Sequence, residues 1–301
     1  MLSLEKYTIE AQRAVTDTVD AFHLHAAVSD GSSVIVPCSY QILEPGFRPF
    51  RAGKASPQEL QSELDSVLEQ AEKRGIDPGI EDEEALRKLA IQLGLGIDCS
   101  NLAFRSLDLL HDRLGIGPYT SRVFRSAAEI QDLNANKDSW AAKNEDGSPR
   151  SLTDEEVEKL ETADVVEASW VASVFGKDPE FIIGSRHMTD MSAAYPVEQK
   201  NTLPGDLLAF KKAGSGAVSH LAVVETVDEV EEGVIHVDFW HSWHTRDFES
   251  GLRRDAVTLE GDSLTWSHEG LASPTRYEEH FFCRPTGMAE LTVLFEDQLS
   301  V

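Results

Sequence analysis

The stretch LPGDLLAFKKAGSGAVSHLAVVETVDEVEEGVIHVDFWHSW (203–243) decides the fold. Turn residues break it into three apolar, alternating runs: LPGDLLAF (203–210), SHLAVVETVD (219–228) and GVIHVDFWHSW (233–243). Runs of this length and period read as antiparallel strands. YEEHFFCRP (277–285) reads as a further strand. A hairpin centred on the acidic turn DEVEE (228–232) sets His220 opposite His241, within a register step. Side-chain alternation then places Ala222, Val224 and Thr226 beside His220. On the partner strand it places Ile235, Val237 and Phe239 beside His241. That shared face is apolar and is expected to look inward. His236 and Asp238 fall on the opposite, more polar face, and His244 follows Trp243 into a loop.

Upstream, VIVPCSY (34–40) reads as a strand and GFRPFRAGK (46–54) as a loop. Ser56 and Pro57 open a helix as N-cap and first helical residue. Leu60, Leu64, Val67, Leu68 and Ala71 recur along it at helical spacing, and Gly75 closes it. A second helix begins in EDEE (81–84) and runs through Leu86, Leu89, Ala90 and Leu93. GLGIDCSN (94–101) is a break. A third helix follows, with Ala103, Leu107, Leu110 and Leu114 on one face, stopped by Gly115 and Gly117-Pro118. Residues 116–199 read as an inserted helical subdomain, in which Ser151 or Thr153 caps a helix expected to reach Trp170. FIIG (181–184) reads as a short strand. The expected chain is α+β, with an N-terminal mixed extension (1–80), a core (81–115 and 200–286), the helical insertion and a tail (287–301).

The 301 residues suffice for a sizeable core, with 41% hydrophobic and 27% charged residues. The 27 Lys+Arg against 53 Asp+Glu give a formal net charge of -26. Such a balance argues against nucleic-acid binding, which draws its affinity from cationic contacts, and against docking on anionic membranes. It describes a strongly solvated acidic surface that would suit a basic protein partner. MLSLEKYTIEAQRAVTDTVD (1–20) has no apolar signal-peptide core, and no run approaches a membrane span, so a cytoplasmic location is expected, with export by a signal-less route left open. The three cysteines, Cys38, Cys99 and Cys283, are far apart and form no CxxC pair, which speaks against a zinc knuckle or a disulfide framework.

Cys99 stands at the first turn of a helix, just after the glycine-rich break. Unpaired N–H groups and the helix dipole at such a position stabilise a thiolate and are expected to lower the thiol pKa. The same N–H groups suit an oxyanion. A thiolate needs a base, usually histidine, and that base needs an orienting group. Of the ten histidines, His220 is the candidate base, because it opens a strand soon after LPGDLLAF, and His241 on the same face is the candidate orienting group. His236, His241, His244 and Asp238 also suggest a metal site, but strand alternation splits them across two faces, so no metal is expected. His23 and His25 also alternate in FHLHAA and could serve as ligands, but they read as part of an ordinary half-exposed strand or helix.

Taken in order, these residues resemble the NlpC/P60 family of papain-like cysteine peptidases, with the CHAP amidases as a close neighbour. IDCSN (97–101) resembles that family's DCSG motif at a helix start, and LPGDLLAF (203–210) its PGDLVFF strand. SHLAVVE (219–225) resembles HVGIY, His241-Ser242 the HA that ends the histidine hairpin, and FFCRP (281–285) the closing strand. The likeness covers about residues 86–115 and 200–286. Asn101 stands where the family has Gly, AIQLGLGI (90–97) replaces its aromatic segment, and the insertion is far longer than usual.

The resemblance implies a papain-like core, a cysteine-bearing helix packed on an antiparallel sheet, and hydrolysis of an amide bond in peptidoglycan peptides. Under it Cys99 attacks, His220 moves the proton and His241 holds the imidazole, with Asp98 and Ser100 beside the nucleophile as substrate contacts and no cofactor. Asp206 shapes the turn into its strand. Trp243 is the candidate substrate-contacting aromatic, because Trp240 points away from His241. Two alternatives stand beside this one: an intracellular papain-like amidase, deamidase or acyltransferase acting on a protein or small molecule, and a catalytically inactive papain-like binding scaffold.

Overall fold

The computed structural model describes residues 3–27, 32–40, 50–212, 214–243, 251–261, 263–266 and 277–288. The chain opens with helix α1 (Leu4–Ala21), the hairpin β1 (His23–Ala27) and β2 (Ser33–Pro37), and β3 (Ser39–Tyr40). Next come α2 (Pro57–Lys73), α3 (Glu83–Gln92), β4 (Gly96–Ile97) and α4 (Cys99–Leu114). The inserted region holds β5 (Phe124–Ser126), α5 (Ala127–Asn136), β6 (Ala142–Lys143), β7 (Pro149–Arg150), α6 (Asp154–Thr162), β8 (Val165–Glu167), α7 (Ala168–Phe175), α8 (Pro179–Ile182) and α9 (Ser185–Met188). The remaining strands are β9 (Ala194–Val197), β10 (Leu207–Lys212), β11 (Val218–Glu231), β12 (Val234–Trp243), β13 (Gly251–Glu260), β14 (Ser263–Trp266) and β15 (Tyr277–Pro285). Seven strands form one antiparallel sheet in the order β14-β13-β12-β11-β10-β15-β9, so the α+β class stands. Among the described residues, no helix is long and apolar enough to cross a membrane.

The helix boundaries follow local chemistry. Ser56 caps α2 with Glu59 returning the bond, a capping box, and Pro57 sits at the first helical position. Asp98 caps α4 by accepting from Asn101 N–H, and Gly115 closes it in the left-handed conformation. Thr153 caps α6 in a second capping box. That helix ends at Thr162 rather than reaching Trp170; a short strand, β8, separates it from α7. FIIG is not a strand: Pro179 starts the helical turn α8, and Gly184 is the extended residue before α9. A four-residue apolar run fits either period, and the proline at a helix start decides it.

The two faces of the sheet bury different cores. One face presents Leu207, Ala209, Leu221, Val223 and Cys283 to α1 (Tyr7, Ala11, Ala14, Val15) and α4 (Ala103, Phe104, Leu107, Leu110). Helix α1 is thus a wall of this core. The other face gathers Leu208, Phe210, Ala222, Val224, Val237, Phe239, Val257, Leu259 and Phe282. The His220 hairpin turns at Glu232-Gly233, slightly later than the sequence pattern suggested, and Gly233 takes a positive φ there. The Pro204-Gly205-Asp206 turn wedges between the helices. A side chain on Gly205 (φ 87) would meet Leu110 at 3.0 Å and Ala11 at 3.4 Å.

Asp206 does shape that turn. Its carboxylate accepts from Leu203 N–H at 2.8 Å and from the Arg284 guanidinium at 2.8 and 2.9 Å, with both residues buried. This bidentate pair ties β10 to the end of β15. Removing one partner strands a buried charge. Arg284→Met is therefore expected to lower unfolding free energy by about 3–5 kcal/mol in urea titration. A loss under about 1 kcal/mol would mean that the pair is not buried as described.

Candidate active site

Helix α4 and three neighbouring strands, β11 to β13, bring the candidate residues to one end of the sheet. The β11–β12 register runs from Val223–Trp240 to Glu231–Val234, so His220 and His241 lie just beyond its last pair. A bulge at Glu225 shifts the register by one residue. It moves Thr226, expected beside His220, onto the Asp238 row and brings His220 and His241 onto one face as diagonal neighbours. His220 packs against Phe210 with ring centroids 5.6 Å apart, and His241 against Phe239 at 5.4 Å. Their row is the apolar one expected from alternation, yet it is the row turned away from α4. His236 lies on the other row, 3.5 Å from Asp238, as alternation requires.

The two rings are linked. His220 Nε2 lies 2.9 Å from His241 Nδ1, and His241 Nε2 lies 2.7 Å from Asp255 Oδ2. All three side chains are buried. Strand β13 supplies the carboxylate: Asp255 pairs with Phe239, and His241 with Arg253, so Asp255 and His241 are diagonal neighbours. Arg253 Nε stands 3.0 Å from the same carboxylate oxygen.

This chain fixes both tautomers. A carboxylate only accepts, so His241 carries its proton on Nε2 and offers Nδ1 as acceptor. His220 must then donate from Nε2, which leaves its Nδ1 as the basic nitrogen. Burial, and then His241, hold the His220 pKa well below its ordinary value. Burial also lowers that of His241, with Asp255 opposing. Both imidazoles rest neutral at physiological pH.

Cys99 sits at the first turn of α4 with 5% of its surface exposed. Its sulfur is stabilised by a backbone hydrogen bond from Leu221, the residue after His220, and lies 3.8 Å from Ser185 Oγ. The expected depression of its pKa is not found. Burial pushes the thiol up to about 11, with Asp98 adding to the rise, while Leu221, Lys54 and Ser185 oppose it. Desolvation of the thiolate outweighs the helix terminus. Burial alone carries Cys38 to about 12, and burial with Asp206 raises Cys283 further, so Cys99 is the least shifted of three buried thiols.

The residues flanking Cys99 are committed within the protein. Asp98 accepts from Ser100 Oγ at 2.9 Å and from Lys54 Nζ at 2.9 Å, besides capping the helix. Lys54 also bonds Ser100 Oγ and donates to Ile183 O at 3.3 Å. Asn101 is wholly buried and donates to Gly53 O and Ala55 O, which anchors the segment carrying Lys54. Trp243 ends β12 opposite Gly251, and its side chain lies outside the described residues, as does His244.

Three members of this arrangement escaped the sequence reading: Asp255, Lys54 and Ser185. Asp255 did leave a signal. In LRRDAVTLE (252–260) it occupies the same row as Val257 and Leu259, and a carboxylate in an apolar row needs a buried partner. In comparisons with known proteins, no family model matched the chain, and neither a curated protein nor a solved structure matched it.

The tautomer assignment is directly observable. In 15N-edited spectra of the imidazoles at pH 6.5, both rings are expected to be neutral, protonated at Nε2 and bare at Nδ1. Asp255→Ala is expected to abolish the fixed tautomer of His241 while the fold persists. A protonated Nδ1 on His220 in the native protein would contradict the assignment.

Proposed function

We propose that the chain is a cysteine hydrolase of papain-like type that cleaves an amide bond, with Cys99 as nucleophile, His220 as general base and acid, and His241 and Asp255 as the orienting pair. One observation carries this reading: a buried Asp255–His241–His220 relay ends one residue from the Leu221 backbone group that bonds the Cys99 sulfur. A nucleophile, a base and a base-orienting carboxylate in sequence are what acyl transfer requires. The ordered motifs shared with NlpC/P60 peptidases give peptidoglycan peptides as the leading substrate class.

Among the described residues no hydrogen bond joins Cys99 to His220, so the proposed reaction requires the imidazole to come within reach of the sulfur. The Cys99 thiol proton then passes to His220 Nδ1 as sulfur attacks the carbonyl. His241 and Asp255 stabilise the imidazolium that forms. The proton returns to the leaving amine, and water hydrolyses the thioester by the reverse path. Because thiol and imidazole both rest neutral, proton transfer accompanies attack rather than preceding it as a standing ion pair.

A second reading, the inactive scaffold, draws on a specific observation as well. Cys99 is almost fully covered and its thiol is raised to about 11, the state of a structural cysteine.

Release of new amino groups from purified peptidoglycan separates these readings. Wild type is expected to release them, and Cys99→Ala and His220→Ala to lose about 10²-fold or more. The pH profile carries a sign. A base whose pKa is depressed stays unprotonated as pH falls through 6.5, so the acid limb of kcat/KM is expected below pH 6.5. No amine release, with Cys99 still acylated by an activated ester, would move the substrate to the intracellular amidase or acyltransferase class. Inertness in both assays would leave the scaffold.

A further inference from the structure

The inserted region contributes a side chain to the nucleophile. Ser185, the first residue of α9, places its hydroxyl 3.8 Å from Cys99 Sγ, and the sulfur is its hydrogen-bond partner. Either group can donate in this contact, and a thiol and a hydroxyl bond each other only weakly, so a stronger acceptor can take the Ser185 O–H at little cost.

The segment before Ser185 is held rigidly. Arg125 Nη1, from β5, donates to Ile182 O at 2.6 Å, and Lys54 Nζ donates to Ile183 O at 3.3 Å. Arg125, Ile182 and Ile183 are all buried. Two cationic side chains from distant parts of the chain thus grip successive carbonyls. After Ser185, Thr189 Oγ1 returns to the Ser185 carbonyl at 3.0 Å, and the Met188 side chain is buried in the main core. Such bracing on both sides preorganises one hydroxyl.

Acyl transfer needs donors aimed at the oxygen that becomes negative. Cys99 N–H is one, since a first-turn amide of α4 has no acceptor within its helix. Around the sulfur, Leu221 bonds the sulfur itself, and Lys54 is occupied by Asp98, Ser100 and Ile183 O. Among the described residues, the one bond of the Ser185 hydroxyl is to the nucleophile.

We infer that Ser185 is a catalytic residue, the second oxyanion donor beside Cys99 N–H, delivered to the site by the insertion. The inference rests on the cysteine-hydrolase reading. As sulfur bonds to the acyl carbon, the carbonyl π pair moves onto oxygen. That oxygen replaces sulfur as the acceptor of the Ser185 O–H and also accepts from Cys99 N–H. Collapse returns the pair, expels the leaving group with the proton held by His220, and leaves the thioester. An electrophile that forms no oxyanion would draw on Ser185 only through its weak bond to the sulfur.

That difference supplies the test. p-Nitrophenyl acetate acylates a thiol through an oxyanion and releases nitrophenolate. Iodoacetamide alkylates the same thiol by displacing iodide, with no oxyanion. Both rates are measured on wild type, Ser185→Ala, Ser185→Thr and Cys99→Ala. Ser185→Ala is expected to slow acylation by about 10²–10³-fold, in kcat rather than KM. Its alkylation rate is expected to fall by no more than about threefold, since the base is untouched and the thiol loses only its weak bond to the Ser185 hydroxyl. Ser185→Thr, which keeps the hydroxyl, is expected to recover most of the acylation rate. Equal acylation of wild type and Ser185→Ala would overturn the Ser185 inference alone. So would parallel losses in both reactions, which mark a merely structural role. If wild type is acylated no faster than Cys99→Ala, the hydrolase reading itself fails.

Discussion

The site depends on a single buried hydrogen bond, the 2.7 Å contact between Asp255 and His241. A carboxylate with no exposed side-chain surface is costly to bury unless its partners compensate for lost water. Here the compensation comes from the His241 ring and the nearby Arg253 guanidinium. The pairing of β12 with β13 fixes the geometry, because Asp255 lies opposite Phe239 and so diagonal to His241. From that contact the protonation of two rings follows in turn. The basic nitrogen of His220 is set by a residue two side chains away.

Burial pulls the site in two directions. It strengthens each hydrogen bond of the relay, since few waters compete for the same groups. It also disfavours every charged form, which raises the Cys99 thiol and lowers both imidazoles. A resting thiolate–imidazolium pair, the arrangement expected from a helix-terminal cysteine, is therefore not the ground state of this chain. The neutral pair has its own logic. Under the proposed hydrolase reading, it would keep Cys99 quiet in the absence of an acceptor and leave the relay to stabilise charge only as charge develops. Ser185 and the gripped segment before it belong to the same economy, covering the sulfur with a hydroxyl instead of with water.

Much of this was legible in the sequence, and the gaps have physical causes. Period-two alternation identified the strands carrying His220 and His241 and their common face, because a one-step slip would have exposed Val224 and Phe239. The bulge at Glu225 was invisible, since no residue type there demands one. Ser56-Pro57, Gly115 and Thr153 marked helix ends through cap chemistry that is local to the chain. Helix α1 left its apolar face in Tyr7, Ala11, Ala14, Val15 and Val19, diluted by the charges between them. Lys54, Ser185 and the anchoring role of Asn101 left no trace, because each acts across more than 40 residues of chain. Asp255 was readable in principle from its place in an apolar row. The depressed thiol pKa expected for Cys99 failed for a different reason: a helix terminus can be seen in sequence, and burial of the sulfur cannot.

The central claim is that the relay serves the cysteine. It is tested most directly by the rate of iodoacetamide labelling at Cys99, located by peptide mapping, in wild type and His220→Ala between pH 5 and 10. At neutral pH wild type is expected to label faster than His220→Ala by about 10²-fold or more, as when a positioned base removes the thiol proton. The two rates are expected to converge as pH approaches the thiol's own pKa, about 11. Identical profiles for the two proteins would contradict the claim, and would leave the histidine relay a structural feature beside an inert thiol.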